Sequence, residues 1–425
     1  MTGITLAFVP VVLLLAGVPI FLVLLAASAA TVLFVMNVPI AVLHQTMFGA
    51  LDSFALLSVP FFIFAGELMG RGSVAARIVD IMRASTGHLK GSLPLATVGT
   101  SAVFGAMSGA SAATVATVGQ LMLPPLKERG YPDDFRAGLI TAVGAIDIII
   151  PPSVPLIIYA AAASESVPKL YAAGVVPGLL IAAILAVYVL WYARRRNISD
   201  GQSFSFRFLL ASFRRGLWAL GAPVIILGGI YGGFVSPTES AALACVYAAF
   251  VTRFVYRELS WVDIIDCATR TVTLTAQILL IVACANVFGW LLTVHQIPMA
   301  LVDLVQGWQL SPWTILLVLN IVFLVVGCFI DPLSAILVLT PLLMPLIKAA
   351  GIDPIHFGIV ITTNLAIGMF HPPFGLNIFV TQSLFRFPLQ VIYKGIVPFL
   401  YLYLLALALI TYVPWLSMAL VRLIY

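Results

Sequence analysis

The sequence predicts an all-α integral membrane protein with two inverted repeats, each containing a re-entrant helical hairpin and a discontinuous helix. Three observations lead to this prediction: the composition, an internal duplication, and the placement of Lys and Arg. Of the 425 residues, 62% are hydrophobic and only 9% are charged, and the mean hydropathy is +1.14. A chain of this composition belongs in a bilayer, where about 20 apolar residues of helix cross the hydrocarbon core.

The two halves of the chain contain the same residues at the same spacing. When residues 124–152 are aligned with residues 345–373, the matches without a gap are Pro124 with Pro345, Lys127 with Lys348, Gly130 with Gly351, Thr141 with Thr362, and Pro151-Pro152 with Pro372-Pro373. One matching proline pair could arise by chance, but a whole series of ungapped matches indicates an internal duplication. Duplicated membrane proteins with Gly- and Pro-interrupted segments in corresponding positions are typically transporters.

The basic residues predict which side of the membrane each segment faces. No Lys or Arg precedes Arg71, so a paired helix over 4–36 and a helix over 54–70 should start outside and finish in the cytoplasm. We interpret the first apolar run as mature structure rather than a signal peptide. The next apolar stretch, 92–126, is flanked by Lys90 and Lys127. Because both flanks are basic, it should be a re-entrant hairpin with its tip near Gly109.

The remaining apolar segments give the second hairpin the opposite orientation. Helices are expected over 137–163, 170–192, 217–234, 238–252 and 263–295, and the loop from Arg194 to Arg215 should be cytoplasmic. The second hairpin, 312–347, then opens from the outside, and Met1 and Tyr425 both face the periplasm. The net charge of +5 is therefore a topology signal and predicts no nucleic-acid partner.

These segments divide the chain into six units. They are first-repeat scaffold helices and an interfacial arm over 1–90, the first hairpin and discontinuous helix over 91–163, a connecting helix and cytoplasmic loop over 164–216, second-repeat scaffold helices and an arm over 217–311, the second hairpin and discontinuous helix over 312–385, and a C-terminal helix over 386–425.

The first hairpin tip, from Met107 to Thr114, is rich in Gly, Ala, Ser and Thr. Small hydroxylated residues inside a membrane have two interpretations. They allow helices to pack closely, or they form a cation site, because a chain that turns there leaves oxygen atoms unpaired and Na⁺ takes oxygen ligands. The residues of the tip leave both interpretations open.

Two matched proline pairs favour the second interpretation. Pro151-Pro152 and Pro372-Pro373 follow the two hairpins, and prolines cannot donate backbone hydrogen bonds inside a helix. Both helices should therefore break. Unpaired carbonyls are tolerated at membrane depth only against protein or water, so two matched breaks predict a paired binding site.

Ionisable groups in apolar segments are functional candidates by default. Glu239 is the weakest, because Ser236-Pro237-Thr238-Glu239 has the spacing of a helix capping box. Glu67 lies near an expected interface. Asp331, at the second hairpin tip, is expected to bind or neighbour a cation. Asp147 lies opposite Gly368 in the repeat, so it could carry a proton or a cation, or could be neutralised by burial. The fifth such group is His371.

The sequence gives little support for an enzyme, a transition-metal protein or a channel. The motifs HExxH and GxSxG do not occur, and the five histidines are scattered, so we expect no enzymatic activity. The four cysteines show neither paired spacing nor neighbouring histidines, which argues against a transition-metal site or disulfides. A channel is a remote alternative, because asymmetric hairpins suit alternating access better than a continuous pore.

The chain resembles the large membrane subunit of the tripartite ATP-independent periplasmic (TRAP) transporters over nearly its whole length. The residues that carry the resemblance are Phe64-Ala65-Gly66, Phe104 to Gly109, Gly130-Tyr131, Ile150-Pro151-Pro152-Ser153, Ala173-Gly174 with Pro177-Gly178, Pro237-Thr238-Glu239, Gly351-Ile352-Asp353-Pro354 with His356-Phe357-Gly358, and Pro372-Pro373 with Gly375. Each short motif alone is weak evidence for the family, but the order and spacing of all of them together are specific to it.

This resemblance implies a scaffold and a mobile transport domain that work as a Na⁺-driven elevator in the bacterial inner membrane. It implies two partners, a small four-helix membrane subunit and a periplasmic substrate-binding protein, and a small organic acid as substrate. Na⁺ would be the coupling ion, with no other cofactor. One implied Na⁺ site comprises Ser108, Gly109, Ser111, Gly144, Pro151 and Ser153, and the other comprises Gly327, Asp331, Gly368 and Pro372.

Two residues depart from the family pattern. Asp147 stands where a small residue is usual, and His371 where threonine is usual. We expect Thr114, Asp147, His371 and Asn377 to form the substrate site. A transporter of the same superfamily that works without a binding protein is the main alternative, and the identity of the substrate does not follow from the sequence.

Overall fold

The computed structural model describes residues 6, 8–36, 38–198 and 205–425, and these residues form α-helices joined by short connections. Met1 and part of the Arg194 to Arg215 loop, whose sidedness was predicted, lie outside the described residues. The helices of the first half are α1 (Val9–Leu15), α2 (Ile20–Phe34), α3 (Ala41–Leu51), α4 (Ser58–Arg71), α5 (Val74–Thr86), α6 (Ser92–Ser108), α7 (Ser111–Glu128), α8 (Asp133–Val143), α9 (Val154–Ala163) and α10 (Val167–Arg195).

The second half is also helical, and long apolar helices recur throughout the chain. Within the described residues, seven helical stretches are long and apolar enough to cross a membrane, which confirms a multi-pass membrane protein. The helices of the second half are α11 (Phe206–Tyr231), α12 (Pro237–Phe250), α13 (Trp261–Val294), α14 (Ile297–Gly307), α15 (Pro312–Gly327), α16 (Pro332–Ala349), α17 (Pro354–Gly368), α18 (Leu376–Phe385), α19 (Leu389–Tyr412) and α20 (Trp415–Ile424).

Two helix pairs lie where the hairpins were predicted. The first consists of α6 and α7, which are separated by Gly109 and Ala110. Gly109 ends α6 with a φ of +60°, a conformation that favours glycine. The second consists of α15 and α16, with the turn over residues 328–331. Re-entry into the membrane and the inversion of the two repeats remain predictions.

Both proline pairs interrupt a helix, as predicted. In the first half, α8 passes through a 3₁₀ segment, Gly144–Ile148, and the helix resumes as α9 after Pro151-Pro152. In the second half, α17 ends at Gly368 and α18 begins after Pro372-Pro373. Both Pro-Pro peptide bonds are cis. The breaks are where the local chemistry requires them, because neither proline of a pair can donate a backbone hydrogen bond.

Two expected boundaries were wrong. The helix expected over 217–234 is α11, which begins at Phe206, because its first turns are amphipathic rather than uniformly apolar and Ser205 caps them. The single helix expected over 386–425 is two helices, α19 and α20, separated at Val413-Pro414. Pro414 disfavours helical geometry at the residue before it, and Val413 has φ −122° and ψ 76°.

The interrupted helices form the centre of the protein. Every residue of α17 from Ile355 to Gly368 is buried, and so is every residue of α8 from Phe135 to Val143. Helix α19 crosses α8 at Gly138 and Gly395, where a Cβ on Gly138 would lie 2.1 Å from the Gly395 carbonyl oxygen. Two glycines are therefore needed where these backbones meet.

The start of α5 is tied to the connection between α12 and α13. Glu258 accepts hydrogen bonds from the Ser73 hydroxyl, from the Ser73 backbone at 2.7 Å, and from the Arg77 guanidinium at 3.0 Å. Partial burial opposes ionisation of Glu258, but these hydrogen bonds outweigh it and lower its pKa. The first and second halves of the chain are joined here by a charge-assisted contact.

Candidate functional site

A cavity of about 620 Å³ lies between α4 and α13 on one side and the tips of both hairpins on the other. Most of its lining is apolar, as is usual for a small-molecule site. The polar and charged residues that line it are Glu67, Arg71, Ser108, Ser111, Thr117, Arg270, Gln277 and Asp331. Four predicted ion-site residues, Ser108, Gly109, Ser111 and Asp331, therefore border one space.

Two arginines in the lining share one carboxylate. The Arg71 guanidinium donates to Asp266 and, at 3.2 Å, to the Asp263 carbonyl oxygen. Arg270 contacts the same Asp266 carboxylate at a longer distance of 3.5 Å. Because Asp266 is already engaged by Arg71, it leaves the charge of Arg270 incompletely compensated, and the Arg270 side chain is 60% exposed.

Sequence reasoning missed this side of the cavity. Helix α13 contributes Arg270, Leu274, Gln277, Ile278 and Ile281, which recur at helical spacing on one face. The available signal was two polar residues, Arg270 and Gln277, seven positions apart in a long apolar helix.

The first predicted ion set surrounds the first hairpin tip. A Cβ on Gly109 would lie 3.4 Å from Val154 and 3.9 Å from the Pro152 carbonyl oxygen, so the tip lies against the break between α8 and α9. Gly144 packs on the start of α7, since a Cβ there would lie 2.9 Å from the Ser111 carbonyl oxygen. Ser153 donates to the Ile148 carbonyl across Pro151.

A buried hydrogen-bond network joins this tip to the second interrupted helix. The Asn377 amide donates to the Ser111 hydroxyl at 2.8 Å and to the Thr141 carbonyl at 3.2 Å. The Thr141 and Thr381 hydroxyls are 2.9 Å apart. Ser111 is thus already hydrogen-bonded, whereas the Ser108 hydroxyl has only a long 3.4 Å contact with the Ala110 backbone.

The second predicted ion set lies at the second hairpin turn and at the helix break that follows α17. Gly327 and Gly368 meet closely, because a Cβ on Gly368 would lie 2.4 Å from the Gly327 carbonyl oxygen. Pro372 lies beside them through Cys328, whose thiol is 2.9 Å from His371 Nδ1 and 3.6 Å from the Pro372 carbonyl oxygen. Asp331 lines the cavity, whereas the other three residues are not part of its lining.

Asp331 has a local structural role that sequence reasoning did not consider. Its carboxylate is the N-cap of α16 and accepts from the Ser334 backbone at 3.0 Å and the Ser334 hydroxyl at 2.6 Å. The sequence Asp331-Pro332-Leu333-Ser334 carries the signal, an N-cap residue followed by proline at the first helical position. Glu239, by contrast, forms the capping box with Ser236 that its spacing predicted.

The predicted substrate set lies behind the cavity wall. Thr114 donates to Asp147 at 2.6 Å, and both side chains are fully buried. Asn377 contacts Ser111, and His371 contacts Cys328. None of these four residues lines the cavity. Their assignment to substrate therefore stays a prediction.

The donor atoms around the hairpin tips suit a hard cation. They are hydroxyl, carbonyl and carboxylate oxygens, which Na⁺ prefers, and Cys328 is the soft donor among them. In the described part of the chain, no three His, Cys, Asp or Glu residues are placed to share a metal ion.

Comparisons with known proteins agree on one family. Residues 7–416 match the family described as the tripartite ATP-independent periplasmic transporter, DctM component. The C4-dicarboxylate TRAP transporter large permease protein DctM of Pseudomonas aeruginosa is 41% identical over 394 residues, which cover 93% of this chain and 92% of that protein.

A second relative is longer than this chain. The isethionate TRAP transporter permease protein DctMQ of Oleidesulfovibrio alaskensis is 38% identical over 406 residues, covering 95% of this chain but only 64% of that protein. Among solved structures, the YdaH transporter of Alcanivorax borkumensis has a TM-score of 0.67 at 14% identity and covers 97% of this chain and 99% of its own. That likeness shows a shared fold.

Proposed function

This chain belongs to the DctM component family of tripartite ATP-independent periplasmic transporters, and we propose that it is the large permease subunit for Na⁺-coupled import of a small organic acid across the bacterial inner membrane. It is a transporter component rather than an enzyme. C4-dicarboxylates and isethionate, named for two relatives, are both small organic anions.

The observation that carries the proposal is the cavity between the scaffold helices and both hairpin tips. Arg270 reaches it with a charge that Asp266 only partly compensates, which suits a substrate carboxylate or sulfonate. The hydroxyls of Ser108 and Ser111 and the carboxylate of Asp331 border the same space. The group that would bind the organic anion and the groups that would bind Na⁺ therefore line one cavity, which supports co-transport.

Ser108, Gly109, Ser111, Gly144, Pro151 and Ser153 would hold one Na⁺, and Gly327, Asp331, Gly368 and Pro372 the other. A bound Na⁺ would supply positive charge at the hairpin tips, where an organic anion would otherwise meet carbonyl and carboxylate oxygens. The glycine contacts hold the turns against the broken helices, and the prolines remove backbone N–H donors from the broken helices, so that carbonyl oxygens there need other partners.

The hairpins and interrupted helices would move as one transport domain against the scaffold. The Ser111–Asn377 contact supports this division, because it joins the first hairpin to the second interrupted helix. Helices α4 and α13, which border the cavity without belonging to either hairpin, would form part of the fixed scaffold. Alternating access of this kind is common in transporters with hairpins and broken helices.

Two partners complete the proposed system, a small four-helix membrane subunit and a periplasmic binding protein. This chain spans 64% of the length of the DctMQ relative, which leaves room in that protein for a second component. We expect the binding protein to select the substrate and this chain to transport it.

The test is uptake of labelled organic acids into proteoliposomes that contain this chain with its small subunit and binding protein. Uptake should require an inward Na⁺ gradient and the binding protein. Equal uptake with choline in place of Na⁺ would overturn the coupling. Equal uptake without the binding protein would favour the binding-protein-independent alternative.

A further inference from the structure

Asp147 is a fully buried carboxylate without a cationic partner. Its exposed fraction is 0%, and within the described ranges no salt bridge reaches it. An unpaired buried charge is one of the most costly features a protein can contain, so such a group either becomes neutral or binds a counter-ion. The surroundings of its two oxygen atoms distinguish these outcomes.

One of the two Asp147 carboxylate oxygens accepts a hydrogen bond and the other has no hydrogen-bond partner. Oδ2 accepts a 2.6 Å hydrogen bond from the Thr114 hydroxyl. Oδ1 is buried and has no hydrogen-bond partner in the described structure. Gly105 packs directly against it, since a Cβ there would lie 2.9 Å from Oδ1. The small residue at position 105 therefore preserves the space beside this oxygen.

Polar groups of the hairpin tip lie next to this carboxylate. The backbone amides of Gly109 and Ala110 and the hydroxyl of Ser108 are oriented toward Asp147 without closing a hydrogen bond of normal geometry. Dipoles of this kind stabilise an ionised carboxylate but supply no full positive charge. An ionised Asp147 would therefore still need a cation to balance its charge.

Residues of the hairpin tip connect Asp147 to the cavity. Ser108, Gly109 and Ala110 line the cavity on one face and approach Asp147 on the other. A small cation that enters the cavity would have to pass only the hairpin tip to reach Oδ1. Na⁺ is a small cation and takes oxygen ligands.

We propose that Asp147 Oδ1 and the Thr114 hydroxyl form a buried monovalent-cation site directly behind the first hairpin tip. This site adds a full negative charge to a region where the implied family ligands are neutral hydroxyl and carbonyl oxygens, because Asp147 stands where a small residue is usual. The proposal rests on the proposed ion-coupled function and deepens it. It makes Asp147 a cation ligand rather than a substrate contact.

The experiment measures cation binding directly, apart from transport. Thermal unfolding of the purified complex is followed during a NaCl titration at constant ionic strength, with choline chloride as the balancing salt. Wild type should be stabilised by Na⁺. Asp147→Asn should weaken the apparent Na⁺ affinity by about tenfold or more, because it removes a charged ligand and keeps the side-chain size. Asp303→Asn, which removes an exposed carboxylate on α14, is the matched control and should behave as wild type.

A second variant keeps the test decisive if Asp147→Asn does not fold. Thr114→Val retains the carboxylate and removes the hydroxyl, and it should weaken Na⁺ binding by about threefold or more. Wild-type Na⁺ stabilisation in either variant would overturn the site and leave Asp147 as a neutral buried residue. That result combined with Na⁺-dependent uptake would refute this site while the proposed function stands. Na⁺-independent uptake with intact Na⁺ stabilisation would refute the coupling instead.

Discussion

The Asn377 side-chain amide donates a 2.8 Å hydrogen bond to the Ser111 hydroxyl, and this contact joins two segments separated by 266 positions in the chain. Ser111 begins α7 at the first hairpin tip, and Asn377 lies in the first turn of α18, after the second proline pair. Both side chains are buried. The two halves of the chain therefore share one polar contact at the candidate ion site.

Asn377→Leu should destabilise the protein by about 1–3 kcal/mol, because it leaves the Ser111 hydroxyl and the Thr141 carbonyl without their buried donor. Thermal unfolding of the purified protein measures this loss. Ser111→Ala in the same background is the control, since a shared contact makes the double mutant less destabilised than the sum of the singles. Additive losses would show that the two residues are not coupled.

Ser108→Ala should raise the Na⁺ concentration for half-maximal uptake by roughly fivefold, equivalent to about 1 kcal/mol. Its hydrogen bonds with the Ala110 backbone are long, at 3.4 Å, so the hydroxyl is available to a cation. Stability without Na⁺ should change little. Ser85→Ala, on α5 and away from the cavity, should leave uptake unchanged. The prediction fails if both variants show the same Na⁺ dependence.

Asp331→Asn separates the charge of this residue from its role as a helix cap. Asparagine is as good an N-cap as aspartate, so the stability should stay near that of wild type. Na⁺-driven uptake should be lost, because the neutral side chain no longer balances the positive charge of a bound cation. Asp331→Ala should lose uptake and also about 1 kcal/mol of stability. Uptake at the wild-type level in Asp331→Asn would remove this carboxylate from the ion site.

Arg270→Gln should raise the substrate concentration for half-maximal uptake by roughly tenfold or more, because it removes a charge-assisted hydrogen bond to an organic anion. The Arg71–Asp266 contact should survive, since Arg270 contributes only the longer 3.5 Å contact to Asp266. Uptake kinetics at saturating Na⁺ and binding protein measure the effect. Arg207→Gln on α11, outside the cavity, is the matched control, and equal kinetics in the two variants would exclude a role for Arg270 in substrate binding.

The Glu258 link between α5 and the α12–α13 connection should depend on pH. Its pKa is lowered from an ordinary value of 4.5, so the link stabilises the protein fully above that value and is lost as pH falls through the lowered pKa. The difference in melting temperature between wild type and Glu258→Gln should therefore be constant near neutral pH and shrink in acid. A difference that persists at the lowest accessible pH would mean that the ionised carboxylate is not responsible.

The sequence alone determined the class of the protein and the places where its helices break. Composition predicts a membrane protein because apolar residues in these numbers cannot remain in water. The two proline pairs predict both interruptions because a missing N–H group is a local property of the residue. The basic flanks of the 92–126 stretch predict a turn near Gly109, and the structure gives Gly109 a φ of +60°.

Only the tertiary structure decided which side chains meet. Arg270 and Gln277 gave a weak signal in the sequence, and they border the cavity because α13 packs beside the first hairpin. Asp147 and Asn377 were expected to contact substrate, yet they lie behind the cavity wall, with the free Asp147 oxygen near the first hairpin tip. A backbone break depends on one or two adjacent residues, whereas a buried contact such as that between Ser111 and Asn377 depends on the packing of every helix between them.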